Sequence, residues 1–156
     1  MRETRNILIA GVGGQGAILA SNILTSAAME AGFDAKKSEI HGMSQRGGSV
    51  FSHIRFGSRV YSPVIPRGKV DVFLSLELME TLRWFEHFNP QTKLVVSSTR
   101  ILPAMVDTYP EGIESLLTER FSDCVLADAE DLIKKTGHQK YLNVALTGIV
   151  SRHLPE

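Results

Sequence analysis

Residues 7–16 read ILIAGVGGQG, an apolar run that breaks into Gly11-Val12-Gly13-Gly14-Gln15-Gly16 ahead of an alanine-rich stretch. The chemistry this spacing offers is anion capture. Ile7 to Ala10 suit a central strand buried on both faces. Gly11 would allow the tight turn, Gly13 would let a phosphate approach the backbone, and Gly16 would let the following helix pack on the strand. The amides of Gly13, Gly14, Gln15 and Gly16, with the positive end of the helix dipole, are the candidate ligands. The plain alternative is a tight strand-to-helix turn that is empty or faces a partner. A dinucleotide would also ask for an acidic residue at the end of the second strand to take a ribose hydroxyl. Asp34 comes too early for that role and Glu39 sits among basic neighbours, so NAD is the weaker ligand.

A second glycine-rich loop, Gly42-Met43-Ser44-Gln45-Arg46-Gly47-Gly48, carries one arginine. A guanidinium offers a planar fork to a carboxylate or phosphate, while Ser44 and Gln45 add neutral hydrogen bonds. Three glycines around one arginine exceed what generic turn chemistry asks. The remaining reactive residue types read plainly. His41 and His53 flank this loop without a nucleophile to pair with, and His87, His138 and His153 are scattered singly. Cys124 enters an apolar strand as a small hydrophobe. Trp84, Phe85 and Phe88 suit core packing or a partner patch. Asn143 lies on an apolar helical face and needs a partner if buried, which the first glycine turn could supply. No residue is expected to be catalytic by itself or to ligate a metal.

The elements that must hold these loops follow from periodicity. A first helix is expected over residues 14–31, stopped by Gly32, and a weakly marked strand over 35–40. Residues 50–56 read as a strand whose Gly57-Ser58 would close a hairpin onto Arg59-Val60-Tyr61. Residues 70–75 return to the buried-strand pattern and lead into a helix over 76–88, ended by Asn89-Pro90. A strand over 93–97 delivers Ser98-Thr99 to a carboxyl end, where ligands of open α/β sheets lie. A long connection, a helix over 113–120, a strand over 124–127 and helices over 129–135 and 141–153 complete the chain. The expected fold is α/β, a three-layer Rossmann-like domain with a mixed, mainly parallel sheet and one antiparallel hairpin.

The 156 residues fit one domain, 1–156, and carry 17 Lys+Arg against 17 Asp+Glu. With no net field, nucleic acid and anionic membranes are poor partners, so any anion site must be local. No apolar run reaches the length of a membrane span, and the N-terminus lacks a signal-peptide pattern. With a single cysteine, the expectation is a cytoplasmic chain.

Taken together, GVGGQG, the second loop, Tyr61-Ser62-Pro63 and Asn143 make the sequence similar to the gamma component of the 2-oxoacid:ferredoxin oxidoreductases, nearest to the beta-subunit type that acts on indolepyruvate. The likeness runs from the first strand to the last helix. It implies a subunit, inactive alone, of an enzyme that oxidatively decarboxylates a 2-oxo acid to an acyl-CoA on thiamine diphosphate and passes electrons through iron–sulfur clusters to ferredoxin. Thiamine diphosphate, magnesium and the clusters are then expected on a catalytic partner subunit, with ferredoxin met only indirectly. In agreement, the chain has no Gly-Asp-Gly with a paired-asparagine motif, and its one cysteine cannot hold a cluster. Coenzyme A is the candidate ligand of this chain, contacted by Gly11, Gly13, Gly14, Gln15, Gly16, Ser44, Gln45, Arg46, Gly47 and Gly48. Family members usually continue past the equivalent of Leu154-Pro155-Glu156, so a C-terminus truncated relative to the family is expected. The rival reading is a free-standing Rossmann-like nucleotide-binding or sensor module. Self-association into a homo-oligomer through an exposed apolar patch would favour the subunit, and a monomer that binds a nucleotide tightly would favour the module.

Overall fold

The computed structural model describes residues 3–41, 48–103 and 106–154. Strand β1 (Arg5–Val12) is buried along all but its first residue. Ile7 and Ile9 point to one hydrophobic layer, Leu8 and Ala10 to the other. This two-sided burial is why the run lacks alternation. Around it lie β2 (Asp34–His41), β3 (Ser49–Gly57), β4 (Val72–Ser75), β5 (Lys93–Ser97) and β6 (Cys124–Ala127), in the order β2-β3-β1-β4-β5-β6. The β1, β4, β5 and β6 strands run parallel, whereas β3 is antiparallel to both of its neighbours. The carboxyl ends of the parallel strands therefore share one edge of the sheet.

The mixed sheet matches expectation, but its hairpin has different members. β3 pairs with β2 through Asp34↔Gly57 to His41↔Val50, so the hairpin is closed by the second glycine loop and not by Gly57-Ser58. Residues 59–61 form no strand. Two contacts hold them off the sheet: the Val60 amide donates to the Asp34 carboxylate at 2.7 Å, and Arg55 donates to the carbonyls of Ser62 and Val64 at 3.0 and 3.3 Å. Gly57 serves a close approach instead of a turn, since a Cβ there would lie 3.0 Å from Thr4 Cα. The charged residues of β2 fit an edge strand, where lysines discourage further pairing.

Helix α1 (Ala17–Glu30) starts three residues later than its periodicity suggests, because the glycine turn consumes residues 13–16. It ends as expected at Gly32: the Phe33 amide donates to Ala28 O and the Gly32 amide to Met29 O, both at 3.0 Å, the paired bonds of a Schellman cap. Residues 76–88 depart further from expectation. They form a 3₁₀ segment over Met79–His87 in place of an α-helix. Its first amides are capped, Leu78 by the Thr99 carbonyl (2.9 Å), Met79 by the Tyr109 hydroxyl (2.7 Å) and Glu80 by the nearby Glu77 carboxylate (2.9 Å), which fixes where the segment begins. The three-residue repeat then puts Thr81 and Trp84 on the buried side.

Helices α2 (Ile113–Arg120), α3 (Ala129–Thr136) and α4 (Leu142–Ser151) complete the fold, α4 being preceded by a 3₁₀ turn over Gln139–Tyr141. Packing of α1, α3 and α4 covers one face of the sheet around Ile7, Ile9, Leu74 and Val95. The 3₁₀ segment and α2 cover the other around Leu8, Phe73, Leu94 and Val96, with Trp84 and Phe88 inside that core and Phe85 packed against it. Among the described residues, no helix is long and apolar enough to cross a membrane.

Candidate anion-binding cleft at the glycine turn

The turn after β1 is built from backbone and one side chain. Gln15 folds back so that its Oε1 accepts the Val12 amide at 2.8 Å and its Nε2 donates to the Leu76 carbonyl at 2.7 Å. That amide side chain is a brace between the turn and the end of β4. The left-handed positions are Gly14 (φ 95°) and Gly16 (φ 82°), which only glycine adopts without strain. Gly11, expected as the turn residue, belongs to β1; what it needs is space, since a Cβ would sit 3.0 Å from Gln15 Oε1 and 3.1 Å from Leu76 Cβ.

Of the four amides expected to face an anion, two already have partners. Gly13 donates to the Gly48 carbonyl at 2.9 Å and Gln15 to the Val12 carbonyl at 3.1 Å. Gly14 and Gly16 have no backbone acceptor among the described residues, and neither do the first amides of α1. Gly16 is the N-cap of α1 and carries no side chain to satisfy them. Asn143, buried in the first turn of α4, donates from Nδ2 to the Gly16 carbonyl at 3.2 Å, the tie between last helix and first turn that its sequence position suggested.

These groups open on a cleft of about 500 Å³ at the carboxyl end of the parallel strands. Leu76 and the Thr99–Ile101 segment form one wall, and the His138–Lys140 segment with Asn143 forms another. Thr99 thus stands where the sequence placed it, its hydroxyl 2.8 Å from Ser97 Oγ. Two cations frame the mouth. Lys140 is exposed, and Arg100 pairs with Glu114 while its guanidinium lies 5.5 Å from the centre of the Tyr109 ring. Sequence reasoning overlooked Arg100, Lys140 and Tyr109; the one available signal was that Arg100 directly follows Ser98-Thr99 at a strand end.

Of the second loop, Gly48 is the described residue. Gly48 is bonded to Gly13, and the next residue, Ser49, donates from Oγ to the buried Glu80 carboxylate at 2.6 Å. Ser44, Gln45, Arg46 and Gly47 lie outside the described residues, as do Gly42 and Met43. The two glycine motifs therefore meet at a backbone hydrogen bond.

The acidic residues weighed for a dinucleotide do not reach the cleft. β3 lies between β2 and β1, so β2 is not adjacent to the glycine turn. Asp34 is held below the usual carboxylate range by the Val60 amide and Lys36. Glu39 pairs with Lys37 at 2.6 Å and accepts from Ser21 at 2.8 Å. His53 is a core residue: its Nδ1 accepts the Ile65 amide at 3.3 Å, and burial, reinforced by nearby His87, lowers its pKa to about 4. Burial and Asp123 push the Cys124 thiol up to about 11, which leaves it protonated and unreactive near neutrality. Among the described residues no three His, Cys, Asp or Glu side chains gather as a metal site.

Comparison with known proteins gives this geometry its relatives. The pyruvate ferredoxin/flavodoxin oxidoreductase family matches residues 6–155. The chain is 41% identical over 154 residues to the indolepyruvate oxidoreductase subunit IorB of Pyrococcus horikoshii, covering 94% of this chain and 76% of the relative. It is 38% identical over 151 residues to the protein of the same name from Archaeoglobus fulgidus, covering 93% and 75%. The fold is similar to that of a pyruvate oxidoreductase subunit from Thermotoga maritima, with TM-score 0.68 at 20% identity over 98% of this chain and 79% of that one. It also resembles a chain of a 2-oxoglutarate:ferredoxin oxidoreductase from Magnetococcus marinus solved with 2-oxoglutarate, coenzyme A and succinyl-CoA, with TM-score 0.67 at 18% identity over 92% of this chain and 23% of that one. By both the match along nearly its whole length and the identity to these relatives, the chain belongs to the pyruvate ferredoxin/flavodoxin oxidoreductase family.

Proposed function

We propose that this chain completes the acyl-acceptor side of the active site in a 2-oxoacid:ferredoxin oxidoreductase and that its cleft receives the phosphates of coenzyme A. The chain is a subunit of such an enzyme, and the name shared by its relatives supports indolepyruvate as the 2-oxo acid. The observation that carries the coenzyme A reading is the convergence at one cleft of Gly14 and Gly16, whose amides have no backbone acceptor among the described residues and which lead into the N-terminus of α1, with the cations Arg100 and Lys140. Helix N-termini and guanidinium or ammonium groups are what a diphosphate asks for. No Asp or Glu is among the described residues that line the cleft, and nearby Glu114 is already paired by Arg100.

Thiamine diphosphate, on a catalytic partner that also carries the iron–sulfur clusters, would supply the decarboxylation chemistry. This chain would bind and orient the acceptor. Arg46 would reach the shared site from a loop whose last residue is anchored on the glycine turn by the Gly13–Gly48 bond. The test is co-expression with the thiamine-binding partner, followed by an assay of indolepyruvate- and coenzyme-A-dependent reduction of ferredoxin. Activity is expected only with both chains present, and Arg46→Ala in the complex is expected to impair turnover while the chain's own melting temperature stays put. Absence of both complex and activity would favour a free-standing nucleotide-binding module, and unchanged kinetics in Arg46→Ala would remove the second loop from the site.

A further inference from the structure

Glu77 is wholly buried two residues beyond β4, yet the cleft it stands behind does not contain it. Its carboxylate is satisfied by three neutral donors. Oε1 accepts the Tyr109 hydroxyl at 2.5 Å and the Ile101 amide at 3.0 Å, while Oε2 accepts the Glu80 amide at 2.9 Å. The Tyr109 hydroxyl is in turn fixed by the Met79 amide, which donates to it at 2.7 Å. Among the described residues no cation forms an ion pair with it; a carboxylate so buried carries a desolvation penalty, and a fold needing only to fill that volume would do better with an apolar side chain. What this one accomplishes is to tie three separate segments to a point behind the cleft: the start of the 3₁₀ segment, the return from β5 and the Tyr109 connection.

Two of those ties lead to the cleft wall. Ile101 is itself a wall residue, so its amide bond to Glu77 sets the position of the backbone that carries Arg100. Burial and the hydrogen bond to Glu77 raise the Tyr109 pKa, which keeps the hydroxyl a donor, and the ring so fixed is the platform under the Arg100 guanidinium, 5.5 Å away. Glu114 holds the same guanidinium from the side. Arg100 is thus restrained by its backbone, by an aromatic face and by an ion pair, and the first two depend on Glu77. A guanidinium placed in advance loses less conformational freedom when it meets an anion.

We propose that Glu77 is a positioning residue that presets Arg100 and the Thr99–Ile101 wall for the phosphate groups of the acyl acceptor. The inference rests on the coenzyme A reading of the cleft, and the experiment separates the two. In the reconstituted complex with the thiamine-binding partner, KM for coenzyme A, KM for indolepyruvate and kcat are measured for Arg100→Ala, Glu77→Gln and Tyr109→Phe. Loss of one charge-assisted contact corresponds to about tenfold in binding. Arg100→Ala is expected to raise KM for coenzyme A about tenfold. Glu77→Gln keeps the shape but replaces one acceptor oxygen with a donor facing donors; it is expected to raise the same constant several-fold, with kcat at saturating coenzyme A and KM for indolepyruvate moving less than about twofold. Tyr109→Phe, which keeps the ring and frees it, is expected to follow in the same direction, and it supplies the readout if Glu77→Gln does not fold. An unchanged KM for coenzyme A in Arg100→Ala would overturn the cleft reading and this proposal with it. An effect in Arg100→Ala, with no change in folded Glu77→Gln or in Tyr109→Phe, would overturn the positioning role alone. So would a Glu77→Gln variant that lowers kcat and raises both KM values together.

Discussion

Replacing Gly16 by alanine probes the contact on which the cleft is built. At φ 82° an alanine would be held in the left-handed region, and its Cβ would lie 2.2 Å from Asn143 Nδ2. The backbone strain amounts to about 1–2 kcal/mol. Asn143 must also leave its place, giving up its 3.2 Å bond to the Gly16 carbonyl. That adds about 1 kcal/mol for the hydrogen bond, and a side chain driven off its rotamer adds about 1 more. The expected total is about 3–4 kcal/mol. Gly14 is the internal control: its φ of 95° brings the same strain, but nothing lies within 4 Å of an added Cβ. Gly14→Ala should therefore lose only about 1–2 kcal/mol. Urea unfolding of the chain would read this directly, with the Gly16→Ala midpoint about 1 M below that of Gly14→Ala. In an Asn143→Ala background the clash is gone, so Gly16→Ala should shrink to the strain alone, a coupling of about 2 kcal/mol in a double-mutant cycle. Equal losses at the two glycines, or strict additivity with Asn143→Ala, would refute the reasoning.

Two further perturbations bear on the same scaffold. Because burial holds the His53 pKa near 4 against 6.5, the unfolded chain takes up a proton first as the pH falls. Stability should then decline between about pH 6.5 and 4 by on the order of 3 kcal/mol; urea midpoints across that window, compared with those of His53→Phe, would be parallel if His53 contributes nothing. Gln15→Leu leaves both the Val12 amide and the Leu76 carbonyl without their side-chain partner and should destabilise by about 2 kcal/mol. Gln15→Glu should also lose stability, because a carboxylate oxygen would face the Leu76 carbonyl; thermal melts as high as the parent's for both would remove the bracing role.

Much of this architecture is legible in the sequence because it is written locally. Strands β5 and β6 and helix α2 match their expected bounds residue for residue, since a short apolar run or an amphipathic repeat bounded by turn residues carries its own signal. Gly32 ends α1 because one residue's backbone freedom is enough to close the cap. The approach of Asn143 to Gly16 was visible as a polar residue on an apolar face that needed a partner.

What only the tertiary structure decided is which of several competent partners each group takes. Gly57-Ser58 has hairpin chemistry, but β2 offers β3 a full-length register and Asp34 takes the Val60 amide, so the hairpin closes elsewhere. Residues 79–87 have helical spacing but form a 3₁₀ segment, whose start is set by the Thr99 carbonyl and the Tyr109 hydroxyl from far along the chain. The same competition gives the Gly13 amide to Gly48, turns Gln15 into a brace, and gathers Tyr109 and Ile101 on Glu77. Local spacing specifies what a residue can do, whereas hydrogen bonds between segments far apart in sequence are settled only when the sheet order brings their ends together.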